Sequence, residues 1–178
     1  YLGYAKKKDK RDIRKKKWKR YERRHSLTAV HIDWHYFKGI WVFCVEDDAS
    51  RKLLALVEDP QESTDNSIIG MEEALKHGPI KQCISDHGST FTSNFVDAKS
   101  RFREYLKSKD IKPILCRIRH PRSNGKVEKW FQVYDRHREA YKTKGEFMYW
   151  YNDLKPHKAL NFDELETPSQ AFIRKLKK

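Results

Sequence analysis

The sequence predicts an α/β domain, a mixed sheet with helices packed on it, behind a cationic arm, and three observations carry that expectation. Between residues 27 and 59 three runs rich in β-branched and aromatic residues follow one another with only short turns between them. From residue 64 onward helical and strand-like segments alternate, the pattern of a sheet covered by helices. The excess charge is concentrated at one end. Residues 1–25 hold 13 Lys or Arg against three acids, whereas the other 153 hold 26 against 22.

The folded part begins near Ser26, where short apolar runs replace the blocks of Lys and Arg. LTAVHIDWHYF (27–37) and KGIWVFCVEDD (38–48) read as two strands of a hairpin turning at Lys38 and Gly39. RKLLALVED (51–59) follows as a third strand after a turn at Asp47 to Ser50. Residues 65–77 predict a helix through Ile68, Ile69, Glu72 and Leu75, with Thr64 or Asp65 as its cap and Gly78-Pro79 as its stop. IKQCIS (80–85) is strand four, FVDAKSRFREYLKSK (95–109) a helix through Phe95, Phe102, Tyr105 and Leu106, and IKPILCRI (111–118) strand five. After the loop His120 to Gly125, the residues Val127, Trp130, Phe131 and Tyr134 form one apolar stripe of a further helix. The predicted order is β β β α β α β α.

Composition excludes several classes. No run approaches the roughly 18 apolar residues of a membrane span, and the opening YLGYAKKKDKRD has no hydrophobic segment of a secretory signal. A cytoplasmic, nucleoid-associated location without membrane contact is expected. The chain opens at Tyr1 rather than at a methionine, which suggests a piece of something longer. Cys44, Cys83 and Cys116 are widely separated and flanked by apolar residues, so they are expected as buried strand thiols and not as a zinc site, which would need paired CxxC or CxxH spacing. The arm interleaves Trp18 and Tyr21 with its cations, which suits phosphate contacts with some stacking.

Three acids stand out. Asp33 interrupts an apolar strand on the face shared with His31 and His35, opposite Ile32 and Trp34. Asp86 ends strand four, at the strand edge where ligands bind in open α/β sheets. Glu128 lies in the first turns of the helix after PRSNGKVEKW. Two carboxylates from strand ends and one from an adjoining helix can converge on hard divalent cations, and two such ions can serve the attacking and leaving oxygens of a phosphoryl transfer.

HIDWHY, DDASR, SDHGSTF, HPRSNGKVEKW, WYNDLKPHKAL and TPSQAF, in this order, resemble the catalytic core of DDE transposases of the retroviral-integrase type found in bacterial and archaeal insertion sequences. The resemblance spans roughly residues 18–175 and implies an RNase H-like fold. It implies Asp33, Asp86 and Glu128 as catalytic triad and metal ligands, with two Mg2+ (or Mn2+) ions during catalysis. Transposon ends and target DNA become the expected partners, and a homodimer or higher oligomer on DNA the expected assembly. By the same resemblance DDASR is a turn in which Asp48, Ser50 and Arg51 are structural, and Asn124 and Gly125 open the helix bearing Glu128. The 41 residues between Asp86 and Glu128 exceed the family's usual spacing. The expected organisation is an arm or linker from an upstream DNA-binding region (1–25), an RNase H-like core (26–142) and a helical extension (143–178).

DNA contacts are expected from Lys15, Lys16, Lys17, Lys19, Arg20, Arg122, Asn124, Lys126 and Lys129. Two other functions compete. His31, Asp33 and His35 at alternate positions could face one transition metal, as in a metal-dependent phosphoesterase. The domain could also bind DNA without catalysis, although acids beside phosphate are costly without a metal.

Overall fold

The computed structural model describes residues 23–86, 88, 91, 100–116 and 125–176. Five strands form one mixed sheet: β1 (Val30–Phe37), β2 (Ile40–Asp47), β3 (Leu53–Asp59), β4 (Gln82–Ser85) and β5 (Lys112–Leu115). Their spatial order is β3-β2-β1-β4-β5. The first three are antiparallel, and β4 and β5 run parallel to β1. Helices α1 (Thr64–Leu75), α2 (Arg101–Ser108), α3 (Gly125–His137), α4 (Lys144–Tyr149) and α5 (Pro168–Lys175) complete it, with a π-helical turn over Trp150–Leu154 after α4. Among the described residues no helix is long and apolar enough to cross a membrane.

The hairpin closes at the expected pair, Lys38 and Gly39, both with positive φ, as a tight turn between twisted strands requires. Alternation along β1 then sorts the core into two layers. Val30 and Ile32 join Phe43, Val45, Val57, Met71, Phe102 and Leu106 under α1 and α2. On the other side, Val42, Cys44, Leu53 and Leu56 meet Val127, Trp130, Phe131 and Tyr134 of α3, with Phe147 and Tyr151 from the C-terminal segment. The predicted stripe of α3 is therefore the buried face of that helix.

Several boundaries differ from expectation, each for a local reason. Helix α1 is capped by Ser63, whose side chain accepts from the Asn66 N–H, so the cap falls before Thr64 and Asp65. Its buried face is Ser67, Gly70, Met71 and Ala74, and Ile69 points to solvent. Gly70 sets that face, because a Cβ there would lie 2.5 Å from the Phe43 ring. Helix α2 starts at Arg101, not at Phe95: Ser100 is extended and caps the Arg103 N–H. Phe95 itself lies outside the described residues. Strand β5 ends at Leu115, and Cys116 lies just past it and is half-buried, unlike the buried Cys44 and Cys83.

The exposed edge of the sheet at β3 is covered. The Asn152 side chain accepts from the Leu53 N–H and donates to the Leu53 C=O, both at 2.9 Å, and Lys144 Nζ donates to the Leu56 C=O. A carboxamide thus imitates a neighbouring strand and denies the edge to another chain. Helix α5 begins with a capping box of Thr167 and Gln170 and buries Phe172 in the first core layer.

Candidate active site

Asp33 is in the middle of β1, half-buried, and Asp86 follows the last residue of β4. The parallel ladder pairs Val30 with Cys83 and His31 with Ile84. Asp33 lies two residues past the last residue of β1 paired in that ladder, and Asp86 two residues past that of β4. Asp86 Oδ1 accepts from the Gly88 N–H at 2.8 Å. Glycine suits position 88, since a Cβ there would stand 3.0 Å from the same oxygen.

Glu128 is exposed in the first turn of α3. Two side-chain links hold this helix along β1. Near its start, Lys126 Nζ meets Asp48 Oδ1 at 2.5 Å, and His31 Nε2–H donates to the same oxygen at 2.6 Å. Two turns further on, His35 Nε2 and Asp135 Oδ1 are 2.8 Å apart, and the His35 ring stacks on Phe131 at 4.6 Å. Glu128 lies between these links along the helix, and Asp33 lies between them along the strand. The far end of α3 is fixed to β3, where Glu58 accepts from Tyr134 Oη and from Arg138 Nε.

Beneath this surface is a buried polar cluster. Asp47, the last residue of β2, and Asp48, which follows it, are fully buried, and Asp47 Oδ2 accepts from both the amide and the hydroxyl of Ser50. Burial tends to raise the Asp48 carboxyl, but the His31 hydrogen bond and the Lys126 ammonium outweigh it and hold that carboxyl below the usual range. Burial, in turn, lowers His31 and keeps the imidazole neutral. Arg51 donates to the Asp48 carbonyl. The turn DDASR is thus structural, as the sequence suggested. Glu46, cross-strand partner of His31, is 1% exposed. With only a long 3.4 Å contact from Tyr151 Oη, burial pushes its carboxyl up to about 8.

The histidine reading is corrected by these contacts. His31, Asp33 and His35 do share a face, but the Nε2 atoms of both rings are turned to Asp48 and Asp135. Among the described residues no three His, Cys, Asp or Glu side chains are gathered closely enough to hold one metal ion. That statement includes Asp33, Asp86 and Glu128, which stand on adjoining elements without closing on a common point. Their donor set, three carboxylates with no sulfur, is nonetheless of the hard oxygen type that Mg2+ or Mn2+ takes.

Of the expected DNA contacts, Lys15, Lys16, Lys17, Lys19, Arg20, Arg122 and Asn124 lie outside the described residues. Lys129 is exposed on α3 and donates to Gln132 Oε1. Lys126 is turned inward, its side chain 19% exposed against Asp48. The sequence reading missed Asp135 and the bond between positions 48 and 126, which no local spacing announces.

The integrase core domain model matches residues 23–121, more than half of the chain. The chain belongs to the integrase core domain family. This integrase core is 28% identical, over 88% of its length, to a putative integrase, ORF3, of Spiroplasma virus SpV1-C74, and it spans about half (53%) of that relative. It superimposes on a chain from the intasome of simian T-cell lymphotropic virus in complex with a PP2A regulatory subunit, with a TM-score of 0.69 and 16% identity, over 85% of this chain and 56% of that one. The catalytic core domain of BIV integrase matches with a TM-score of 0.63 and 14% identity, over 82% of this chain and 93% of that one. At such identities these likenesses speak for the fold, which is RNase H-like, as the order of motifs implied.

Proposed function

We propose that this integrase core carries out divalent-metal-dependent cleavage and joining of DNA strands in transposition or integration, with Asp33, Asp86 and Glu128 as its catalytic carboxylates. What supports the reading is that Asp33 lies on β1 and Asp86 just past the end of β4, its parallel neighbour, while Glu128 stands in the first turn of α3, which packs on β1. Two Mg2+ or Mn2+ ions, when bound, would stabilise charge on the attacking and leaving oxygens of the displacement. The chain's own part is to hold its three acids in position. Asp33 is fixed by the central strand of the sheet, Asp86 by its bond to the Gly88 amide, and Glu128 by the links along α3.

Cations of the arm, with Arg122, Asn124 and Lys129, would take the phosphate backbone, and blocks of Lys and Arg supply charge neutralisation more readily than base readout. Two copies acting on paired DNA ends complete the proposal. The test uses a labelled oligonucleotide carrying the element's end sequence, incubated with Mg2+ or Mn2+. Asp33→Asn and Asp86→Asn should each remove most cleavage and joining while DNA affinity stays close to wild type. Wild-type activity that persists in metal chelator would overturn the reading.

A further inference from the structure

We propose that Asp48 is a positioning residue for the candidate active site: its buried carboxylate fixes the first turn of α3, and with it Glu128, against the strand that carries Asp33. The inference rests on the reading of the site given above and adds to it a residue that touches none of the three acids.

Asp48 contacts each element two residues before the acid that element bears. His31, which donates to Asp48 Oδ1, stands two residues before Asp33 on the same face of β1. Lys126, 2.5 Å from the same oxygen, stands two residues before Glu128 at the start of α3. One oxygen atom therefore joins the two catalytic elements from residues 17 and 78 positions away in the chain. The other oxygen, Oδ2, accepts from the Arg23 N–H at 2.7 Å, which brings in the segment following the arm. The hub is itself held rigidly. The Asp48 N–H donates to the Ala29 C=O at 3.0 Å, and Arg51, in a left-handed conformation with φ +66°, donates to the Asp48 C=O.

A buried ion pair is a poor source of net stability compared with apolar side chains of similar volume, and its best use is to select one arrangement. Here the stability of the docked helix comes from Val127, Trp130, Phe131 and Tyr134, which would hold α3 on the sheet without Asp48. In the first turn only Val127 is anchored this way, and the polar residues on either side of it, Lys126 and Glu128, are not. Small displacements of a reacting group reduce rates steeply, so a tether at this turn has a direct catalytic consequence.

The experiment uses the full chain and a double-mutant cycle of Asp48→Asn and Lys126→Met, read by amide hydrogen exchange of Lys129 to Phe131, whose N–H groups face the carbonyls of the first turn, by joining rate at saturating DNA, and by DNA affinity. Each single variant should speed exchange of these amides about tenfold and slow joining by on the order of tenfold to a hundredfold, with affinity held within about twofold. The double variant should be no worse than the worse single one, because both remove one contact. Multiplying effects, or a Lys126→Met protein that loses DNA affinity with exchange unchanged, would overturn the proposal and make Lys126 a phosphate contact. Faster exchange spread evenly over the sheet would overturn it in favour of a general stabilising role. Should Asp48→Asn not fold, Lys126→Met against Lys126→Arg decides: the arginine should restore protection and rate, and a Met variant matching wild type in exchange sinks the proposal. Exchange needs no activity, so it still answers if Asp33→Asn leaves joining intact and the reading of the site itself falls.

Discussion

Replacing Glu46 by Gln should stabilise the protein at neutral pH, by an amount that depends on pH in a defined way. In the unfolded chain this carboxyl ionises near 4.5, whereas in the folded protein burial holds its proton until about pH 8. Between those values unfolding releases a proton, so the wild type loses stability as pH rises from about 4.5 to 8, and the loss is complete above the folded value. At ~1.4 kcal/mol per pH unit, the interval from 4.5 to neutral pH corresponds to about 3 kcal/mol. The amide side chain of the Glu46→Gln variant keeps the volume and the Tyr151 contact but has no proton to lose. Arg51, Lys126 and Asp48 act on the carboxyl as well, and their effects are already contained in the folded value. The assay is thermal or urea unfolding of both proteins across about pH 5–9, which brackets the predicted loss. The difference between them should be small at about pH 5 and grow to roughly 6–12 °C in Tm by about pH 7, for a domain of this size. Parallel curves over the whole range would refute the reasoning, because they would mean that Glu46 is ionised in the folded protein.

Other substitutions test the packing that supports the site. Gly70→Ala should destabilise by roughly 1–3 kcal/mol in urea unfolding despite alanine's better helix propensity, because the new methyl meets the Phe43 ring. Trp130→Ala should lower stability by about 3–5 kcal/mol, since the indole is 1% exposed at the centre of the α3 layer. Asn152→Ala should cost about 1–3 kcal/mol by leaving the buried Leu53 amide and carbonyl without partners, and sedimentation should detect increased self-association through the uncovered β3 edge.

Where the sequence was legible, large side chains at a clean period made it so. The stripe of Val127, Trp130, Phe131 and Tyr134 could be read from spacing alone because four apolar residues at helical intervals admit one face. The Lys38-Gly39 hairpin was equally plain, since few dipeptides suit that turn. Helix α1 was harder. Ser63, Thr64 and Asp65 are all able caps, and the helical spacing of Ile68, Ile69, Glu72 and Leu75 does not announce that Gly70 is the point of closest approach to Phe43. The expected helix over 95–109 ignored Ser100, whose hydroxyl caps from within the segment.

At the site, the three acids could be found from local context, because a carboxylate in an apolar strand, at a strand end or beside an N-G turn is visible in a few residues. Their relation to one another was not, since it depends on the parallel pairing of β1 with β4, which are distant in the sequence. Lys126 shows the limit most clearly. By composition it is one more cation in a basic loop, and only the fold turns it inward onto a buried aspartate 78 positions earlier.

The central claim is that Asp33, Asp86 and Glu128 act as one metal-dependent centre for joining DNA strands. It is tested most directly by single-turnover joining of a cleaved end to target DNA in Mg2+, comparing wild type with Glu128→Gln at saturating DNA. The account predicts that the amide variant binds the end as tightly as wild type and forms almost no joined product. Joining by Glu128→Gln at the wild-type rate would contradict it.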